Sequence, residues 1–137
     1  MIVSTKGRYA LRVMVSLALD TEGRFIPLKE IAETEGISQK YLESIMTVLS
    51  KADFVDAVHG KGGGYRLNRP AKDYTVGAIL KLTEGSLAAV SCTAQGPAAC
   101  SRTSCCQTKP MWDKLDNMID QFFEGVTLQD LLDQGKK

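Results

Sequence analysis

The chain has 137 residues, 17 Lys and Arg against 16 Asp and Glu, and 44% apolar residues. That length suits one domain with an appended segment and a real core. No apolar run approaches the roughly 18 residues of a membrane span, and charged residues break up the apolar start, so no membrane partner or export signal is expected and the chain reads as cytoplasmic. Charge is uneven along the chain: residues 1–72 carry 11 Lys and Arg against 8 Asp and Glu, while residues 73–137 carry 6 against 8. A mildly basic front half is consistent with a nucleic-acid partner.

Thr5 to Asp20 is nearly continuous in helix-compatible apolar residues and is expected to form a helix buried on most faces. Thr21-Glu22-Gly23 ends it. Phe25 and Ile26 are expected to make a short strand before Pro27, which suits the first turn of a second helix. That helix, LKEIAETEG, points Leu28, Ile31 and Ala32 inward and stops at Gly36. Ser38 then serves as N-cap of a third helix, with Ile37 and Leu42 at the two positions of a hydrophobic staple. Leu42, Ile45, Met46 and Leu49 recur at helical spacing as one core stripe, opposite Gln39, Lys40, Glu43, Thr47 and Lys51. Asp53 marks the end of this helix.

FVDAV and YRLNR alternate on either side of HGKGGG, so residues 54–69 read as a hairpin. Thr75 caps VGAILKLTEG, which ends at Gly85. Pro110 begins a helix that runs to about Glu124, and Thr127 to Asp130 is a capping-box-like start for a last short helix. The expected fold class is mostly α with a small β-hairpin. Residues 1–72 form a winged helix-turn-helix, and residues 73–137 hold a short helix, a cysteine-rich loop and a dimerisation helix.

A helix that must enter a major groove about 12 Å wide needs one apolar side to anchor it and short polar residues on the other. Its first turns face base edges, which makes Ser38, Gln39, Lys40, Tyr41 and Glu43 candidate DNA contacts. Glutamine can pair with adenine, and glutamate can accept from the cytosine amino group. In the hairpin tip, glycines permit close approach to phosphates while Lys61 and His59 supply charge. Arg8 is a further candidate contact. Each feature alone is ordinarily a solvated helix or a plain turn, but their order within forty residues favours DNA binding. The glycine run lacks the Gly-Lys-Ser/Thr ending of a phosphate loop, and Tyr65 stands where a dinucleotide fingerprint needs its last glycine.

Cys92, Cys100, Cys105 and Cys106 fall within fifteen residues. Such density calls for a metal, an iron–sulfur cluster or a thiol switch. Structural zinc favours paired Cys-x2–4-Cys knuckles, and this spacing has none. A disulfide between Cys105 and Cys106 would be a vicinal pair, and exposed inert thiols oxidise readily. An enzyme has little support, because the single histidine sits in the hairpin tip and no nucleophile–base set can be assembled.

STKGRYALRVMVSLAL, ISQKYLESIMTVLSKADFV, HGKGGGYRL, TVGAIL and the CxTxxxW pattern at Cys106, Thr108 and Trp112 resemble the IscR-type winged-helix regulators of the Rrf-two family over nearly the whole chain. The resemblance implies a bacterial homodimeric transcription regulator that binds double-stranded promoter DNA. It implies an iron–sulfur cluster, of the 2Fe-2S type, on Cys92, Cys100 and Cys106, with the iron–sulfur assembly machinery as cluster donor. Iron–sulfur status, redox state or nitric oxide would be the signal. Cluster-holding members present Cys-x5-Cys-x5-Cys and, in one branch, a histidine three positions later. Here the spacing is Cys92-x7-Cys100-x5-Cys106, and Lys109 takes the histidine position.

A lysine cation does not ligate iron. The fourth ligand is then Cys105, an exchangeable small molecule, or a residue at the start of the first helix, where relatives use a carboxylate and this chain has Arg8. In the helix from Met111 to Phe123, Trp112, Leu115, Ile119 and Phe122 form one apolar line, widened by Met111, Met118 and Phe123. A stripe this broad can face its own domain and a partner together; periodicity equally allows one wide core face in a monomer, and the resemblance implies a dimer. The alternatives are a thiol- or zinc-based regulator without a cluster, and an iron–sulfur carrier or electron-transfer protein in which the helix-turn-helix is scaffold.

Overall fold

The computed structural model describes residues 3–89 and 107–135. The elements are α1 (Thr5–Ala18), α2 (Leu28–Glu35), α3 (Gln39–Lys51), β1 (Val55–Val58), β2 (Gly64–Leu67), α4 (Val76–Glu84), α5 (Lys109–Glu124) and α6 (Leu128–Gln134), with a 3-10 turn at Ala71–Asp73. Among the described residues no helix is long and apolar enough to cross a membrane.

The helix ends follow side-chain chemistry. Ser4, Ser38 and Thr75 each accept a hydrogen bond from a backbone N–H three residues on, satisfying a donor that the first turn would leave bare. Thr127 and Asp130 form a reciprocal capping box at α6. Gly36 closes α2 in the left-handed conformation, at φ 67°. Arg12 of α1 secures the same helix end, with Nε 2.9 Å from the Glu35 carboxylate and Nη2 donating to the Glu35 carbonyl at 3.1 Å.

Helix α1 buries Gly7, Ala10, Val13, Met14 and Leu17, which form one stripe. The expectation of burial on most faces is therefore corrected. Tyr9, Leu11 and Val15 are only half-buried, and Leu19 is 67% exposed. The stripe meets Ile31, Leu42, Ile45, Met46 and Leu49 from the helix-turn-helix, and Tyr74, Ile79 and Leu128 join the same core from beyond the hairpin. A second, smaller cluster of Val76, Leu80 and Leu87 receives Ile119 and Phe123 of α5.

Strands β1 and β2 pair antiparallel in the register Val55↔Leu67 to Val58↔Gly64. The strand expected at Phe25–Ile26 contracts to one bridge, in which Ile26 and Tyr65 exchange backbone bonds of 2.8 and 2.9 Å. Pro27, without an N–H, cannot extend it. Alternation along β1 fades outward: Val55 is buried, while Ala57 and Val58 are exposed where the hairpin projects past the core.

The back half is tied to this frame by backbone. Val76 N–H donates to Val126 O at 2.8 Å, Leu128 N–H donates to Tyr74 O at 3.0 Å, and Thr75 bridges Thr127. Lys81 of α4 reaches Asp120 (2.6 Å) and Glu124 (3.0 Å) of α5, and its hydrogen bonds to these two carboxylates, that to Asp120 first, raise its pKa.

Gly64, at the tip-side end of β2, lies close against the Ile26 backbone. A Cβ there would stand 2.3 Å from the Ile26 carbonyl oxygen, a backbone atom with no freedom to move aside. Gly64→Ala is expected to destabilise the protein by about 1–3 kcal/mol, read as a lower urea midpoint. An unchanged midpoint would mean that the Ile26 bridge opens at no cost.

Candidate nucleic-acid interface

Helices α2 and α3, joined through Gly36-Ile37-Ser38, and the β1–β2 hairpin behind them are a helix-turn-helix with a wing. Ser38, Gln39, Lys40 and Glu43 lie exposed at the start of α3, opposite its buried stripe. The Ser38 hydroxyl is already engaged as the cap, at 3.1 Å from the Tyr41 N–H. The Glu43 carboxylate has no hydrogen-bond or ion-pair partner among the described residues, which leaves both oxygens open to a ligand.

Tyr41 is placed differently from its neighbours. It is half-buried, and its ring meets Tyr9 of α1 edge-on, with centroids 5.9 Å apart at 74°. Arg12 lies 5.1 Å over the Tyr9 ring. The aromatic pair attaches the first turn of α3 to α1. Arg8, one residue before Tyr9, is exposed and donates to Thr5 Oγ1 at 3.3 Å.

At the wing tip His59 and Lys61 are exposed. Gly60 (φ 94°) and Gly62 (φ 78°) take conformations that L side chains rarely adopt. The tip therefore needs these glycines for its shape as well as for close approach.

Sequence reasoning overlooked the wing root. Tyr74 is 1% exposed; its hydroxyl accepts from Asn68 N–H (3.1 Å) and donates to the Phe54 carbonyl (2.7 Å). Burial pushes its phenol pKa upward. Asn68 Nδ2 and Arg69 Nη2 both donate to the Asp53 carbonyl, at 2.8 and 2.7 Å. The available signal was a pair of Asx residues bracketing the hairpin, since such residues favour turns and tolerate the left-handed region.

Cys92, Cys100, Cys105 and Cys106 lie outside the described residues. Their flanks do not. Ala89 N–H donates to Asp116 of α5 at 2.8 Å, and Lys109 Nζ pairs with Asp113 at 2.6 Å. Lys109, at the position where some relatives place a histidine, is thus engaged in an ion pair.

Helix α5 has an inward and an outward apolar face, as so broad a stripe allows, but the residues divide differently from the expected lines. Ile119 and Phe123 pack inward on the second cluster, while Met111, Leu115, Met118 and Phe122 are exposed. The exposed four recur at i, i+4, i+7 and i+11, the spacing of a coiled-coil seam.

These elements define a winged helix-turn-helix protein, the architecture of DNA-binding regulators. The chain belongs to the Rrf2 family, whose model, described as an iron-dependent transcriptional regulator, matches residues 3–134. It is 38% identical over 132 residues to the HTH-type transcriptional regulator IscR of Vibrio atlanticus, spanning 96% of this chain and 75% of that one. The IscR of Photobacterium profundum is also 38% identical, over 96% of this chain and 76% of its own. Among solved structures, T. potens IscR superposes with a TM-score of 0.77 at 36% identity, covering 99% of this chain and 89% of that one. CymR (YrzC), the global cysteine regulator of B. subtilis, gives 0.79 at 30% identity over 99% of both chains. The relatives are named as transcription regulators, not enzymes, and this chain is a transcription regulator of the same family.

Glu43→Ala is expected to relax discrimination at one base pair by about 1–3 kcal/mol while leaving binding to other sequences near wild type. Titration against a set of single-base operator variants measures this. A uniform loss across the set would make Glu43 a structural residue instead.

Proposed function

We propose that this chain binds double-stranded promoter DNA as a homodimer, and that an iron–sulfur cluster on Cys92, Cys100 and Cys106 controls that binding. The observation that carries the reading is the position of the cysteines. Their segment lies between α4 and α5, and its leading flank is hydrogen-bonded from Ala89 to Asp116 of α5. Helix α4 is joined at Glu84 to Ser4, the N-cap of α1. Order in the cysteine segment is therefore felt by elements that carry the reading head.

Three thiols suit the group chemically. Thiolates are the usual iron–sulfur ligands, and two of the three keep the five-residue interval of the resembled family. The Lys109–Asp113 pair leaves the fourth position to Cys105, to a group from the partner subunit, or to an exchangeable small molecule. Bound there, a 2Fe-2S cluster supplies one-electron and nitric-oxide chemistry. The chain's own part is to give up thiol protons on ligation and to order residues between α4 and α5. Ser38, Gln39, Lys40 and Glu43 face the major groove, Tyr41 positions them, and His59, Lys61 and Arg8 meet phosphates. The iron–sulfur assembly machinery would load the protein in the cytoplasm.

The exposed α5 seam supports a homodimer, because two recognition helices read half-sites about one helical turn apart. A second reading, a thiol-based regulator without a cluster, draws on the adjacent Cys105 and Cys106 and, to a lesser degree, on the likeness to a cysteine regulator, CymR. An iron–sulfur carrier would show no salt-dependent promoter binding.

Anaerobic purification with iron, sulfide and zinc analysis separates these readings. Near-stoichiometric iron and sulfide are expected, and both should vanish, with a changed operator preference, when Cys92, Cys100 and Cys106 are all replaced by alanine. Colourless protein with zinc or no metal, even after reconstitution, would replace the cluster reading with the thiol or zinc one. For the dimer, Met118→Lys is expected to shift sedimentation from dimer to monomer and weaken operator binding. An unchanged sedimentation coefficient would rule out the α5 seam.

A further inference from the structure

We propose that Asp53, Asn68, Arg69 and Tyr74 form a rigid joint that sets the angle between α3 and the wing, and so act as positioning residues for DNA binding. The inference rests on the reading of α3 and the wing as the elements that touch DNA.

The chain turns sharply between the two. Asp53 N–H donates back to Ser50 O at 3.0 Å and Phe54 N–H to Leu49 O at 2.9 Å, so the turn lies directly under the end of the recognition helix. Among the described residues Asp53 alone is a non-glycine with positive φ, at 60°. A residue in that region costs free energy and persists where its surroundings over-determine it.

Here they do. The Asp53 carbonyl takes two donors from the far end of the hairpin, Asn68 Nδ2 and Arg69 Nη2. Asn68 Oδ1 in turn accepts from Arg69 Nε at 3.0 Å. The Arg69 guanidinium sits 5.4 Å from the Phe54 ring centre and 5.1 Å from that of Tyr74, and these two rings meet edge-on. It has no carboxylate partner among the described residues, so its cation serves the joint through stacking and donation. The Tyr74 hydroxyl joins the two strand roots, accepting from Asn68 N–H and donating to Phe54 O, from a ring anchored in the core.

Leverage explains why such a joint is built here. The tip residues His59 and Lys61 stand about six residues beyond the root, roughly 20 Å at strand rise, with the Ile26–Tyr65 bridge as a second tie part-way along. A tilt of roughly 10° at the root moves the tip by roughly 3 Å, as much as the full reach of a hydrogen bond. A loose root would leave the wing attached to the protein but off the phosphates that α3 has brought within range.

The test is operator affinity against salt concentration for the full chain, together with thermal unfolding of each variant. Lys61→Gln reports on the wing tip. Asn68→Ala breaks the joint, and Asp53→Gly keeps the carbonyl and suits the left-handed position while freeing the turn. Asn68→Ala is expected to lower the salt slope by about 0.9 for each phosphate that the wing no longer meets, roughly a tenfold weaker affinity per phosphate at about 0.1 M salt. Asp53→Gly should lower the slope in the same direction with its melting temperature little changed. If Lys61→Gln lowers the slope and the two joint variants do not, the positioning role fails while the DNA reading stands. A reduced melting temperature at wild-type slope would also sink it, as a purely structural joint. If Lys61→Gln leaves the slope untouched, the wing does not meet phosphates, and the joint loses its role along with it.

Discussion

Burial of the Ala10–Val13–Met14–Leu17 stripe of α1 is the contact on which the rest of the architecture depends. Val13 and Met14 are fully enclosed, and each is worth roughly 1.5–3 kcal/mol of hydrophobic stabilisation. Attraction of this kind has no direction, so it brings elements together without orienting them. Orientation comes from the polar ties at the helix ends. Arg12 fixes the end of α2, Glu84 holds the start of α1, and the Tyr9–Tyr41 contact sets the first turn of α3 against α1. Gly7 leaves room for the Glu84 carboxylate that holds Ser4, since a Cβ there would displace it.

The ionic ties contribute geometry more than stability. Arg24 lies between Asp20 and Glu30, and hydrogen bonding to Glu30 raises its pKa while holding the Glu30 carboxyl below its ordinary range. These groups are solvated, and surface pairs of this kind add little to stability. No polar or charged residue is buried outright among the described residues, which leaves the core uniformly apolar. The Tyr74 phenol is enclosed but has partners for both its donor and its acceptor.

Local chemistry made much of this legible in the sequence. Ser38, Thr75, Thr127 and Gly36 announce helix ends because capping involves only residues three or four apart. The polar face of α3 could be read for the same reason, as the complement of a clear apolar stripe. What stayed hidden depends on distant partners. Tyr41 differs from its neighbours only because Tyr9 faces it. The apolar residues of α5 carry no mark that divides them, and Val76 and Leu80 decide which turn inward. Leu19 looks like core by hydropathy, yet it comes one position after the helix has ended. The wing root escaped notice because Phe54, Asn68 and Tyr74 are spread over a hairpin and a turn. For the cysteines, outside the described residues, the reading still rests on donor type and spacing.

The backbone bridge between Thr75 and Thr127 has a consequence for how the chain assembles. Together with the bonds from Val76 to Val126 and from Leu128 to Tyr74, it closes a ring that contains the whole cysteine segment. Helices α2 and α3 and the two strands of the hairpin pair over short sequence distances, whereas the ring joins residues about fifty apart, a long-range closure of the kind that slows folding. Closure entropy grows only with the logarithm of length, and even doubling such a ring costs only about 0.6 kcal/mol. The spacing of the cysteines is therefore nearly free of folding constraints, and evolution can adjust it to whatever they hold without disturbing the reading head.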